Sequence, residues 1–195
     1  MNAVRAVTVY CSSSSAIDAA YVRAGAALGS AIASRGWALV YGGNSVGLMK
    51  TLADAARESH GRVIGVTPQA LVDKGIHDTH CDELIVTAGM RERKAIMEDR
   101  GDAFVAMPGG LGTLEEFFEI LVGRSLGYHN KPIVVLNVNG FYDPLIAMIE
   151  HGIEQRFIKP KARELYFVAR EVSETIGFIG NAKDGETKRK RDEVL

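Results

Sequence analysis

The chain has 195 residues and a formal net charge of −1. That is enough length for one domain with a substantial core, and there is no basic excess with which to bind nucleic acid. Two cysteines, Cys11 and Cys81, sit at no zinc or CxxC spacing and point to a reducing compartment. No apolar run approaches the ~20 residues a bilayer requires, and the N-terminus lacks a signal-peptide pattern, so the expectation is a soluble cytoplasmic protein without a membrane partner.

In chain order, the apolar run Val4–Tyr10 predicts a strand that ends in Cys11-Ser-Ser-Ser-Ser15. An alanine-rich helix follows from about Ala16 to Ser34, closed by Gly36. Trp37–Tyr41 reads as the second strand, Gly42-Gly43-Asn44-Ser45-Val46-Gly47 as a glycine loop, and about Leu48–Ser59 as a helix. Arg62–Val66 is a third strand broken by Pro68, and Glu83–Thr87 a fourth. A helix over Met90–Arg100 leads to a fifth strand, Ala103–Met107. Pro108, Gly109, Gly110 and Gly112 then make a turn, and Leu114, Phe117, Phe118, Leu121 and Ser125 carry a helical period. Pro132–Asn137 predicts a sixth strand, Tyr142–Arg156 a helix, Leu165–Val168 a last strand and Ser173–Ile179 a final helix. Residues 1–182 read as one domain, and Lys183–Leu195 as a polar tail.

Strands that are continuous Val/Ile/Leu runs, alternating with helices, predict an α/β fold: a Rossmann-like, doubly wound parallel sheet in three layers. Ligands then bind outside the carboxyl ends of the strands, where the strand order reverses. Three loops are placed to meet there: Cys11–Ser15, Gly42–Gly47 and Pro108–Thr113. A strand passing through a glycine turn into a helix aims free amides at whatever lies above it, and an anion such as phosphate suits them. Neither glycine loop is a Walker A loop and neither matches G-x-G-x-x-G, so no dinucleotide cofactor is assigned.

Glu115, Glu116 and Glu119 lie in the first turns of the helix after the glycine turn, where the macrodipole favours acids on structural grounds alone. Glu116 falls roughly opposite the apolar stripe, so position alone predicts that it is solvated. Arg93 sits mid-face among Met90, Ile96 and Met97, and an inward arginine needs a partner, either a carboxylate or a ligand anion. Lys94, beside it, can reach the same anion or stand on the surface. His77-Asp-Thr-His-Cys-Asp-Glu83 offers metal-binding residue types at no standard spacing, and no metal is assigned. No Ser/Cys-His-Asp triad can be assembled from spacing.

Pro108-Gly-Gly-Leu-Gly-Thr-Leu-Glu-Glu116 resembles the PGGxGTxxE signature of the LOG ("lonely guy") family. Met90-Arg-Glu-Arg-Lys-Ala95 is similar to that family's Met-x-x-Arg-Lys-Ala segment, and the likeness runs over roughly residues 4 to 180. Its members are cytokinin riboside 5′-monophosphate phosphoribohydrolases, and bacterial members also cleave AMP. The family's older label, possible lysine decarboxylase, finds no pyridoxal phosphate site here. The resemblance implies Arg93 and Glu116 as catalytic residues. It implies substrate contacts at Lys94, Gly109, Gly110, Leu111, Gly112, Thr113, Glu115 and Gly43, no cofactor, and a homodimer, for which a Phe117–Phe118 helix face is compatible. Asn44 and Lys50 replace two family glycines, Ser12 another, and Gly123 and Ser125 stand where many members have Trp and Gln. The expected reaction is hydrolysis of the N-glycosidic bond of a purine nucleoside 5′-monophosphate to free base and ribose 5-phosphate. The rival readings are a nucleotide-binding carrier or sensor without turnover, and a dehydrogenase.

Overall fold

Seven parallel strands form one sheet in a computed structural model that describes residues 5–182. The strands are β1 (Ala6–Tyr10), β2 (Ala38–Tyr41), β3 (Val63–Pro68), β4 (Glu83–Thr87), β5 (Ala103–Ala106), β6 (Ile133–Leu136) and β7 (Phe167–Ala169). The helices are α1 (Ala19–Ser34), α2 (Gly47–Glu58), α3 (Gln69–Val72), α4 (Met90–Arg100), α5 (Leu111–Leu126), α6 (Asp143–Glu154) and α7 (Val172–Asn181). The strand order is β4-β3-β2-β1-β5-β6-β7. The chain builds outward from β1 on one side, returns, and builds outward on the other. Its direction therefore reverses between β1 and β5, which pair from Val7↔Ala103 to Tyr10↔Ala106. In open α/β sheets ligands bind at such a reversal, which here falls at the ends of β1 and β5, at Tyr10 and Ala106.

Alternation along each strand sorts the core into two layers. Val7, Val9, Leu39 and Tyr41 face α1, α2 and α7 through Leu28, Ile32, Leu52, Ile176 and Ile179. Ala6, Tyr10, Val40, Phe104 and Ala106 face the other way, toward Met97 of α4 and Phe117, Ile120 and Leu121 of α5. With both faces covered, the central strands have no reason to carry outward polar residues, and they do not.

Some boundaries differ from the sequence reading. α1 starts at Ala19 because Asp18 caps it, its Oδ1 accepting from Ala20 N at 2.7 Å. β3 runs through Thr67 to Pro68, which pairs with Thr87 before the chain turns into the four-residue α3, an element the periodicity missed. β7 is shifted to Phe167–Ala169 by a 3-10 turn over Pro160–Glu164. The polar tail Lys183–Leu195 lies outside the described residues, as does Val4. Among the described residues, no helix is long and apolar enough to cross a membrane.

Candidate active site

α4 is fixed first. Glu92 reaches back to accept from Ala88 N at 2.8 Å, and the buried Thr8 hydroxyl of β1 donates to the Met97 carbonyl at 2.8 Å. One turn before Met97, Arg93 is thereby carried over the ends of β2 and β3. Its Nε donates to the Val66 carbonyl at 2.9 Å and its Nη1 to Glu116 Oε1 at 2.8 Å. Nη2 lies against Gly42, where a Cβ would stand 2.1 Å away. Gly42 is therefore glycine because the guanidinium occupies the space of a side chain.

Arg93 and Glu116 are 3 % and 6 % exposed, a buried ion pair built by α4 and α5. Burial raises the Glu116 carboxyl above the usual glutamate range, and the Arg93 charge only partly counteracts it. Glu116 Oε2 accepts no hydrogen bond among the described residues. Tyr10 and Cys11, at the end of β1, are within electrostatic reach of the pair. Burial pushes the phenol and the thiol upward, and the Glu116 charge adds to both shifts. Both groups remain protonated, and the Cys11 thiol is inert as a nucleophile.

The glycine turn lies one helical turn from Glu116. Helix α5 is capped by Gly110 without a side-chain cap, and its first backbone bond is Leu114 N to Gly110 O at 3.1 Å. The amides of Leu111, Gly112 and Thr113 precede that bond and are free to face a ligand. A Cβ on Gly110 or Gly112 would meet nothing within 4 Å, so the space above the turn is open. On its inner side the turn is closed: a Cβ on Gly109 would lie 2.2 Å from Thr113 Oγ1, and the Thr113 side chain is buried beneath it. From Thr113 to Glu116 the axial rise is about 4.5 Å, a spacing that suits a phosphate and the sugar attached to it.

The other predicted positions fall around this centre. Gly43, with φ +67°, sits on β3 against Val66 and Thr67. Asn44 Oδ1 and Thr67 Oγ1 are buried nearby without hydrogen-bond partners among the described residues. Lys94 turns away from Arg93 and pairs with Glu115, and with Glu119 at 3.0 Å, which raises its pKa. Leu111 contributes an amide only, since its side chain is 86 % exposed. The loop after β1 meets the second glycine loop where Met49 N donates to the Ser12 carbonyl at 3.2 Å. The Pro108–Thr113 turn follows β5, the neighbour of β1, and so leaves the same end of the sheet.

Two positions correct the helical-wheel reading. Glu116 is buried rather than solvated, because the inward face of α5 runs through Thr113, Glu116, Phe117, Ile120 and Leu121 and not through Phe118 and Ser125, and it meets Arg93 of α4 there. Phe117 is core and only Phe118 is partly exposed, so the pair does not form one exposed face. On α4, Met90 is exposed while Met97 is fully buried. His129, in the loop after α5, is buried with Nε2 2.9 Å from the Ile120 carbonyl. The roles of Gly42, Tyr10 and Cys11 had no signal in the sequence, since each depends on what the fold brings against it.

A profile of the family described as "Possible lysine decarboxylase" matches residues 49–178, more than half of the chain and all of the Arg93, Glu116 and glycine-turn segment. The chain is 44% identical over 177 residues to a cytokinin riboside 5′-monophosphate phosphoribohydrolase of Rhodococcoides fascians, covering 90% of this chain and 89% of that one. The chain belongs to the LOG family. A second LOG relative, the cytokinin riboside 5′-monophosphate phosphoribohydrolase of Mycobacterium tuberculosis, is 43% identical over 170 residues, 87% of this chain and 90% of that one. Among solved structures, the molybdenum cofactor binding protein of Rippkaea orientalis has the LOG fold. It shows 23% identity and a TM-score of 0.70 over 92% of this chain and 96% of that one.

Proposed function

We propose that this LOG chain hydrolyses the N-glycosidic bond of purine nucleoside 5′-monophosphates, adenosine or cytokinin-type, with Arg93 and Glu116 as the catalytic residues. The supporting observation is a buried carboxylate with one unpaired oxygen, held one helical turn from an open row of amides. The 5′-phosphate rests on the amides of Gly109, Gly110, Leu111, Gly112 and Thr113, with Gly43 opposite and Lys94 and Glu115 at the edge; the Thr113 hydroxyl, buried beneath the turn, supports it from within. A carboxylate beside a phosphate costs about 1 to 4 kcal/mol of repulsion at contact range. Arg93 and the ribose hydroxyls offset that in the ground state. As the bond from C1′ to the purine nitrogen breaks, positive charge develops on the ribose ring, and the same carboxylate becomes an attraction. Water adds at C1′, and free base and ribose 5-phosphate leave. Water is the only co-substrate, so no cofactor is invoked.

Incubating the purified protein with AMP and with an N6-prenylated adenosine monophosphate, and separating products by chromatography, tests this directly. Release of free base with stoichiometric ribose 5-phosphate is expected. Nucleotide that binds and is recovered intact would make the protein a carrier. The resemblance to the LOG relatives at over 40% identity, against fold alone for the cofactor binding protein, favours turnover.

Two finer expectations belong with this reading. A homodimer fits an apolar groove of about 350 Å³ on the outer face of α6, lined by Phe118, Leu145, Met148, Ile149, Phe157 and Ile158. Phe157 and Met148 are 92 % and 73 % exposed in a single chain. Light scattering at twice the chain mass is the expected result. The two free cysteines, Cys11 and Cys81, suit a reducing, cytoplasmic location.

A further inference from the structure

The glycine turn is held from beneath by a residue far along the chain. Met107 follows β5, and its N–H donates to the Tyr10 carbonyl at 2.9 Å, continuing the sheet. Its own carbonyl accepts from Tyr142 Oη at 2.5 Å, inside the core. Tyr142 is 2 % exposed and is fixed at its backbone: its N–H donates to Asn137 Oδ1 at 2.7 Å, and Asn137 Nδ2 donates to Asp143 Oδ1 at 2.7 Å. Asn137 is tied in turn to the sheet, its N–H donating to the Ala169 carbonyl at 2.7 Å. Burial keeps the Tyr142 phenol protonated, so it remains a donor.

The consequence lies in the peptide that follows. The Met107 carbonyl belongs to the Met107–Pro108 peptide, whose plane carries no N–H of its own. Fixing that carbonyl sets ψ of Met107, and the Pro108 ring sets the next φ near −65°. Between the clamp and the Gly109 amide only one soft dihedral is left, ψ of Pro108. The orientation given by Tyr142 is therefore transmitted to the turn with little slack.

We infer that Tyr142 is a positioning residue for the phosphate cradle, aligning the amides after Pro108 through the Met107 carbonyl without touching the substrate. The inference rests on the reading of that turn as the phosphate site. A hydroxyl that merely satisfied a buried carbonyl would affect stability and leave phosphate affinity alone.

Tyr142→Phe keeps the ring and removes the donor. Losing one buried hydrogen bond corresponds to roughly a tenfold change in an equilibrium constant. In steady-state assays the KM for AMP and the competitive Ki for inorganic phosphate should rise together by that factor. The Ki for adenine, which has no phosphate, should stay as in wild type, and kcat should move less than threefold. Pro108→Ala frees the φ that the ring fixes while leaving Tyr142 in place, and should give the same pattern at smaller size. The inference is overturned if neither variant shifts the phosphate Ki, or if the phosphate and adenine constants worsen equally, which is general loosening of the core. If inorganic phosphate fails to compete with AMP in the wild-type enzyme, the cradle itself is misplaced and the role of Tyr142 goes with it. Competition that is normal in wild type and unchanged in both variants removes Tyr142 alone.

Discussion

Two carboxylates are almost equally hidden from water, Asp78 at 2 % and Glu116 at 6 % exposure, and they titrate in opposite directions. Asp78 lies on the α2 side of the sheet. Its Oδ2 accepts from Tyr41 Oη at 2.6 Å and from Arg57 Nη1 at 2.8 Å, and its Oδ1 from His80 N at 2.9 Å. Burial pushes Asp78 upward, but those three donors more than offset it and hold the carboxyl below its ordinary range. Glu116, on the opposite side, has a single donor in Arg93, and burial prevails. The structural acid is saturated with donors and stabilises a loop. Glu116 has one oxygen without a donor among the described residues, and under the proposed function a bound ribose or a developing cation fills that place.

The sharpest way to break this contrast is to neutralise each acid in turn. Glu116→Gln should reduce base release by ~10²–10³ or more, the range for losing a preorganised electrostatic group. Wild-type turnover in this variant would end the catalytic assignment. Arg93→Ala should abolish turnover and also cost about 3–5 kcal/mol, since Glu116 is then buried without its partner. Combining it with Glu116→Gln should return most of the stability and none of the activity in denaturant titrations.

Gly42→Ala probes the same pair without touching either charge. The new methyl displaces Arg93 Nη2, and if Arg93 acts as proposed a shift of about 1 Å can cost on the order of 10² in rate. The expected loss is in kcat, with the fold retained by circular dichroism. Asp78→Asn is the converse test. It should lower stability by about 1–3 kcal/mol, through the Tyr41 and Arg57 donors left poorly matched, with turnover per folded molecule unchanged. A large loss of activity there would mean the two acids are not separate devices.

The smallest effect is on pH dependence, and the signs differ. The folded-state pKa of Asp78 is depressed, so its stabilisation is present above about pH 4, the unfolded value, and is lost as pH falls through the folded value. Asp78→Asn should therefore flatten the acid limb of a stability–pH curve. The folded-state pKa of Glu116 is raised, so wild-type stability relative to Glu116→Gln declines as pH rises from about 4.3 through the folded value. The acid limb of kcat/KM should correspondingly lie above the usual glutamate range. A limb at or below that range would contradict the burial argument.

Much of the fold was legible because one rule governs it: apolar runs too short for helices, separated by helix-length periods, leave a parallel sheet as the packing solution. The glycine turn and Arg93 were legible for a related reason, since both break the local pattern in ways that demand an explanation. The burial of Glu116 was not. The period through Leu114, Phe118 and Ser125 centres the stripe on the wrong side of α5, and the face that packs, through Thr113, Phe117 and Ile120, includes Glu116. Gly42 and Tyr142 were invisible for another cause: each acts on a group many residues away. The four-residue α3 was too short to carry a period.

The pairing of β1 with β5 has a bearing on synthesis. Tyr10 and Ala106 meet only after all of β2, β3, β4 and α4 have been made, and the crevice lies directly above that seam. A growing chain that has completed its first four strands holds the loops after β1 and β2 but lacks the seam, the amide row and Glu116. The centre of the sheet is thus closed by strands far apart in the chain, and no piece that ends before β5 contains it.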